Sequence, residues 1–434
     1  MIKVQNNKIY EFIFYLFGIS LFILKIPPLT TFEGISKLSS SHVFAKVALL
    51  VIAIILIWLN RKSELYSLLT KDFSYLIISL YFISASISVV AAENISFFLQ
   101  QYQNVVLGIV IFYISYTLVQ KVPKKQLITG LIFVGLIFVV FDIVFALFPS
   151  QILMFLRYFL QEEMYSLYKF NQGEYKYNLY LTSEAFLPFL ILYFRGEREI
   201  KYGGIFSMII VSLIGYLAIF SNFRTRLIQF IFSFTLSMHI LNKVSKKKFI
   251  SFTILTVTSI IISFVMIRNS TSYDIVDRFA MSNSIDSQTI QYRLDTFSNA
   301  IEMIKISPFI GVGLGNYKTY INQSKTSQMA DRDLKLHAEE TNDNPHSVFV
   351  QIATETGLIG ICVYLILLFY FIRVDMVIFL DKIFEIDPFV MLCIIASWTI
   401  FLYGIFNPFN TIFLNGWFWC FRGMIEGLKY EYKK

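Results

Sequence analysis

The chain has 434 residues, 56% of them hydrophobic and only 15% charged, with 46 Phe and 26 Tyr. That leaves too little polar surface for a water-soluble protein of this length, and it fits a chain solvated mainly by lipid. The net charge of +8 does not point to nucleic acid, because the basic residues lie in short loops between apolar segments. Cys362, Cys393 and Cys420 all fall in apolar segments, which excludes a disulfide framework or a zinc-type ligand cluster.

Twelve apolar segments follow in chain order, at roughly 9–26, 43–59, 74–92, 104–120, 127–148, 179–194, 203–221, 226–241, 249–267, 346–372, 386–405 and 409–425. Each is near the ~20 residues that a bilayer requires. The first shows no small-residue cleavage pattern and reads as a membrane anchor. The last is interrupted by Gly416 and Arg422. The expected fold is all-α: a polytopic transmembrane helix bundle of about 12 spans, with a long helical extracytoplasmic loop between spans 9 and 10. Three parts result: spans 1–9 in 1–267, the loop in 268–345, and spans 10–12 in 346–434.

Basic residues set the expected orientation. Lys3 and Lys8; Arg61, Lys62 and Lys71; Lys121, Lys124 and Lys125; Arg195, Arg198 and Lys201; and Lys243 and Lys246–Lys248 fall on one side. Arg373, Lys382 and the Lys-rich C-terminus continue that set. The alternate short loops carry much less, so both termini are expected in the cytoplasm. Two long loops then face outward, about Pro149–Asn178 and about Arg268–Pro345. Within the second, "SQTIQYRLDTFSNAIEMIKIS" places Ile290, Leu294, Phe297, Ile301 and Ile304 at helical spacing. An amphipathic helix lying on the bilayer or capping the bundle is expected, ending at Ser307-Pro308.

Ionisable residues inside spans are expensive. Lys46, Asp142, Glu184, Arg224, Arg226, His346 and Glu355 all fall in the expected outer half, and the interiors of the inner half hold nothing comparable. A shared depth suggests a shared cavity open to the outer face; the plainer alternative is snorkelling to the interface. Arg224 and Arg226 stand where the positive-inside rule disfavours them.

Ser347, Gln351 and Glu355 recur every four residues and form one polar stripe behind His346. Such a stripe must face protein or water, either as a site or as an inter-helix hydrogen-bond seam. "SNFRTRLIQF" opens a helix with Arg224 and Arg226; guanidinium forks and a helix N-terminus suit phosphate oxygens. An ion pair or snorkelling is the alternative for Arg226. "SPFIGVGLGNY" carries Gly311, Gly313 and Gly315 but follows a helix, not a strand, so it reads as a turn permitting close backbone approach and not a nucleotide loop.

Taken in order, "FSNFRTRLIQ", "QYRLDTFSNAIEMIKISPFIGVGLGNY" and "NPHSVFVQIATETGLIG" resemble the O-antigen ligase and O-antigen polymerase superfamily of bacterial envelope glycosyltransferases. Arg224 matches that family's first motif, Arg293 its second, and His346, Glu355, Gly357 and Gly360 its third, with Ser347 standing where the family usually has Asn. The resemblance implies transfer of a glycan from a polyprenyl-diphosphate carrier at the outer leaflet of the bacterial inner membrane, with neither metal nor other cofactor. The acceptor is a second lipid-linked repeat unit in the polymerase and the lipid A core in the ligase; a chain-length regulator is a candidate partner.

The chemistry fits. A lipid diphosphate leaving group develops negative charge that fixed cations must stabilise. With no metal-ligand cluster in the sequence, Arg224 and Arg293 are the first candidates and Arg226 the third. His346 is the candidate base for the attacking hydroxyl or the group that orients it. Glu355 lies about 13 Å further along the helix and could assist only through a bend or a water. Gln351, Glu355, Glu184, Asp142 and Arg226 complete the expected substrate-binding set. A flippase for lipid-linked glycans is the main non-enzyme alternative, disfavoured by the lack of an evident internal repeat and by the loop placement.

Overall fold

The structure, a computed structural model, describes residues 2–24, 41–60, 73–148, 183–196, 203–220, 224–244, 284–317, 345, 347–380, 388–407 and 412–429, with residue 319 and scattered positions in 250–261. Among these, the regular structure is helical and no strand occurs. In chain order the helices are α1 (Ile2–Ile23), α2 (Ser41–Asn60), α3 (Phe73–Ile87), a 3-10 turn (Ser88–Ala91), α4 (Ile95–Lys121) and α5 (Lys124–Leu147). They continue as α6 (Ser183–Gly196), α7 (Gly203–Phe220), α8 (Arg224–Val244), α9 (Ser284–Ile306), α10 (Val348–Leu380), α11 (Pro388–Phe406) and α12 (Ile412–Lys429). Every predicted apolar segment except 249–267, most of which lies outside the described residues, coincides with one of these helices. Six stretches among the described residues are long and apolar enough to cross a membrane: His42–Asn60, Phe73–Ala91, Ile95–Lys121, Lys124–Val144, Val348–Leu380 and Pro388–Phe406.

The least regular predicted span, α12, is central. It packs along α4 and against α11. A Cβ on Gly423 would sit 2.3 Å from the Phe112 carbonyl oxygen, and one on Gly427 would sit 2.7 Å from that of Tyr116. Small residues one turn apart let the two backbones touch, the usual device where lipid offers no hydrophobic drive between helices. Around this seam Trp417 packs edge-on against Phe138 and Phe186. On the other side, α6 packs against α5, α7, α8 and α11.

The predicted amphipathic helix is α9, and it packs on α10. Its protein-facing residues are Thr296, Ala300 and Met303, packed with Val312 and Tyr317. The Tyr317 hydroxyl donates to the Thr296 carbonyl at 3.0 Å. Leu294 and Ile301 of the expected apolar stripe are exposed, as are Ile306 and Phe309. An apolar surface of this kind is stable against lipid or another protein, and the contact with the bundle runs along the smaller residues beside it.

Candidate functional site

The glycines after α9 have a partner 44 residues on. Gly357 interrupts α10 with φ +66° and ψ −165°, a conformation that strains any residue with a Cβ. The interruption would leave backbone groups of Thr354, Glu355, Leu358 and Ile359 without their helical partners. The turn at 308–313 supplies replacements. Val312 and Gly313 donate to the carbonyls of Thr354 and Glu355, both at 3.0 Å. Leu358 and Ile359 donate in return to the carbonyls of Pro308 (2.8 Å) and Phe309 (3.1 Å). In an unbroken helix, Leu358 would have paired with Thr354 and Ile359 with Glu355, so the turn stands in for both halves of the missing bonds.

The clasp needs glycine at its contact points. A Cβ on Gly311 would lie 2.4 Å from the Glu355 carbonyl carbon, and one on Gly357 would lie 2.4 Å from that of Phe309. Gly311, Gly313 and Gly315 all have positive φ. The turn continues to the start of α4, where Asn316 Oδ1 accepts from the Asn94 N–H at 2.7 Å. It thus ties α9, α10 and the head of α4 together.

The polar stripe is buried. Ser347, Gln351 and Glu355 are 7%, 5% and 1% exposed, so all three sit in protein and none faces lipid. Gln351 Nε2 donates to Glu355 Oε2 at 3.4 Å. Its buried Oε1 has no hydrogen-bond partner among the described residues. The break at Gly357 falls beyond Glu355, so the helix stays straight between Ser347 and Glu355 and keeps them about 12 Å apart. The bend that would bring Glu355 to position 346 is not made there. His346 itself lies outside the described residues, between Pro345 and Ser347, both buried.

Asp142, Glu184 and Arg226 come together from α5, α6 and α8. Arg226 Nε donates to Glu184 Oε1 at 2.8 Å, and Nη2 donates to Asp142 Oδ2 at 3.1 Å. Ser183 Oγ donates to Asp142 Oδ2 at 2.8 Å. All four residues are buried. Two carboxylates face one guanidinium, which anchors the first turn of α8. Arg224 is the first residue of that helix, and the neighbouring Thr225 accepts from Asn407 Nδ2 at the end of α11, 3.0 Å away. Arg293 is half-buried on α9, one turn before Thr296, whose hydroxyl donates to its carbonyl at 2.8 Å.

Residues 185–365 match the family model described as O-antigen ligase. The O-antigen ligase match takes in α6 from its third residue, α7, α8, α9, the clasp and the broken part of α10. The match covers less than half of the chain and marks what this segment is similar to. The apolar helices indicate a multi-pass membrane protein. No curated protein matches the chain.

Outside the matched segment the structure corrects one sequence expectation. The far half of the bundle is not free of buried charge. Helix α10 runs to Leu380, past the predicted end at 372, and so carries Asp375 inside the protein. Arg422 Nη1 donates to both Asp375 oxygens at 2.9 and 2.8 Å, and Trp398 Nε1 donates to Oδ2 at 2.6 Å. The guanidinium lies over the Trp398 and Phe371 rings at 4.6 and 4.9 Å. A basic residue in a span and an acidic one just past a predicted span end were the available signals; their pairing across 47 positions was not.

Proposed function

We propose that the chain is a polysaccharide polymerase. It transfers a growing glycan from a polyprenyl-diphosphate carrier to a lipid-linked repeat unit at the outer leaflet, with both termini in the cytoplasm. The observation that carries this is the coincidence of the O-antigen ligase match with the place, among the described residues, where a helix is broken and re-paired by an external turn. Backbone of that kind is tolerated at membrane depth only where protein or a water-filled site surrounds it.

Arg224 and Arg293 take the diphosphate, where fixed guanidinium groups stabilise the departing charge in place of a metal ion. His346 accepts the proton of the attacking hydroxyl or orients it. Asp142, Glu184 and Arg226 hold the start of α8, so Arg226 serves the site through Arg224. Gln351 and Glu355 fix the half-helix that leads from His346 into the clasp.

The second reading is the ligase, favoured by the description of the matching family; the turn "PFIGVG" favours the polymerase. The products left in cells lacking the gene decide. Polymerase loss leaves single units on the final acceptor, ligase loss leaves long polymer on the carrier, and flippase loss strands single units on the inner leaflet. The first pattern is expected, and either of the others overturns it.

A further inference from the structure

The charge on α9 stops short of its end. Glu302 and Lys305 form an exposed ion pair at 2.7 Å, and from Ile306 to Tyr317 no charged residue follows. Ile306 and Phe309 are 66% and 64% exposed, an apolar corner that is costly to leave in water. The clasp fixes where this corner sits. Leu358 donates to the Pro308 carbonyl and Ile359 to that of Phe309. The corner therefore lies beside Leu358 and Ile359 of α10, which are themselves exposed.

Helix α10 supplies the depth. From Leu358 to Ile372 it carries no charged residue, and Arg373, exposed, is the next. Over that length Leu358, Ile359, Ile366 and Phe369 make one exposed apolar face, the face that a spanning helix turns to lipid. The rise from Arg373 to Ile359 is about 21 Å at 1.5 Å per residue, against about 30 Å of hydrocarbon. With Arg373 at or just inside the far boundary, where its side chain can snorkel, Ile359 lies about 5–10 Å inside the near one. Phe309, bonded to Ile359, shares that depth.

The backbone of the corner suits that medium. What hydrocarbon excludes is an unpaired backbone group. Pro308 has no N–H, and the carbonyls of Ser307, Pro308 and Phe309 accept from Gly311 (3.0 Å), Leu358 (2.8 Å) and Ile359 (3.1 Å). A turn in water has no need of such pairing. We propose that the end of α9 and the corner at 307–309 enter the bilayer on the side of the clasp. Ile306 and Phe309 lie among lipid acyl chains there, and the Glu302–Lys305 pair stands one turn back, at the headgroups. The partner of this apolar face is the lipid bilayer itself, so the helix that carries Arg293 is anchored in the membrane at its C-terminal end and not merely laid on the surface.

The test is spin labelling of the full chain in liposomes of phosphatidylethanolamine and phosphatidylglycerol. Cys362→Ala removes the exposed thiol, while Cys393 and Cys420 are buried. In that background nitroxides are attached at Phe309→Cys, at Ile306→Cys and, as the lipid reference, at Phe369→Cys. Relaxation by dissolved oxygen and by a water-soluble nickel chelate then reads depth. The labels at positions 306 and 309 should respond to oxygen over nickel, as the one at 369 does, with position 309 about 5–10 Å below the headgroup boundary. Nickel access equal to oxygen access at position 309 would put the corner in water. Protection from both reagents would put it under protein, such as a second copy of the chain. Either result overturns the proposal. The label at 369 reports that the chain is inserted, and Ile306→Cys carries the same test if Phe309→Cys does not insert.

Discussion

Replacing Gly311 with Ala should open the clasp. The left-handed backbone at φ +71° costs a residue with a Cβ about 1–2 kcal/mol. The new methyl would meet the Glu355 carbonyl carbon at 2.4 Å, and neither backbone can give way without parting. Parting breaks the bonds from Val312 to Thr354 and from Gly313 to Glu355. Each buried carbonyl left unpaired costs about 1–3 kcal/mol, so the sum is about 3–8 kcal/mol, enough to undo the local structure of a protein of ordinary stability. Hydrogen exchange read by mass spectrometry in detergent should show faster exchange at Val312, Gly313, Leu358 and Ile359, together with loss of transfer activity. Gly18→Ala is the control, because nothing lies within 4 Å of its added Cβ; it should leave both readouts unchanged. Unaltered exchange at those four amides in Gly311→Ala would refute the idea that the turn carries the pairing of the broken helix.

Arg226→Met should lower thermal stability by about 3–5 kcal/mol, since two buried carboxylates lose their cation; adding Asp142→Asn and Glu184→Gln should recover part of it, read as melting temperature. Arg422→Met should destabilise by a similar amount, and pairing it with Asp375→Leu should restore stability with transfer unchanged, since that pair lies outside the matched segment. His346→Ala should reduce transfer by about 10²–10⁴ while membrane insertion stays normal, measured by product gels and membrane yield; normal polymer would remove its catalytic role.

Composition and the length of the apolar runs were enough to place the helices, because both are local properties. The amphipathic α9 and its stop at Ser307-Pro308 were legible for the same reason. Its contact face was not: Leu294 and Ile301 are apolar, but periodicity does not say whether an apolar stripe meets protein or lipid. Gly311, Gly313 and Gly315 announced a tight turn, and Gly357 stood out only through the motif resemblance. Their mutual pairing lies in backbone groups, which every residue carries and no side-chain pattern reveals. Glu184 and Asp142 were flagged by depth, and Arg226 also by loop charge and its place at a helix start, with an ion pair as one alternative. That both carboxylates bind the one Arg226 guanidinium required their positions in space. Asp375 escaped notice because α10 outlasts the predicted span.

At the centre of this account, guanidinium groups at one end of the bundle receive a lipid-borne diphosphate as its glycan departs. Purified protein in nanodiscs, given the lipid-linked repeat unit, should release one polyprenyl diphosphate per glycosidic bond formed. Arg224→Lys should be slower, because an ammonium keeps the charge and loses the fork, and Arg224→Glu should be inactive. Equal release by all three, or movement of intact lipid-linked units across the membrane with no carrier released, would contradict it.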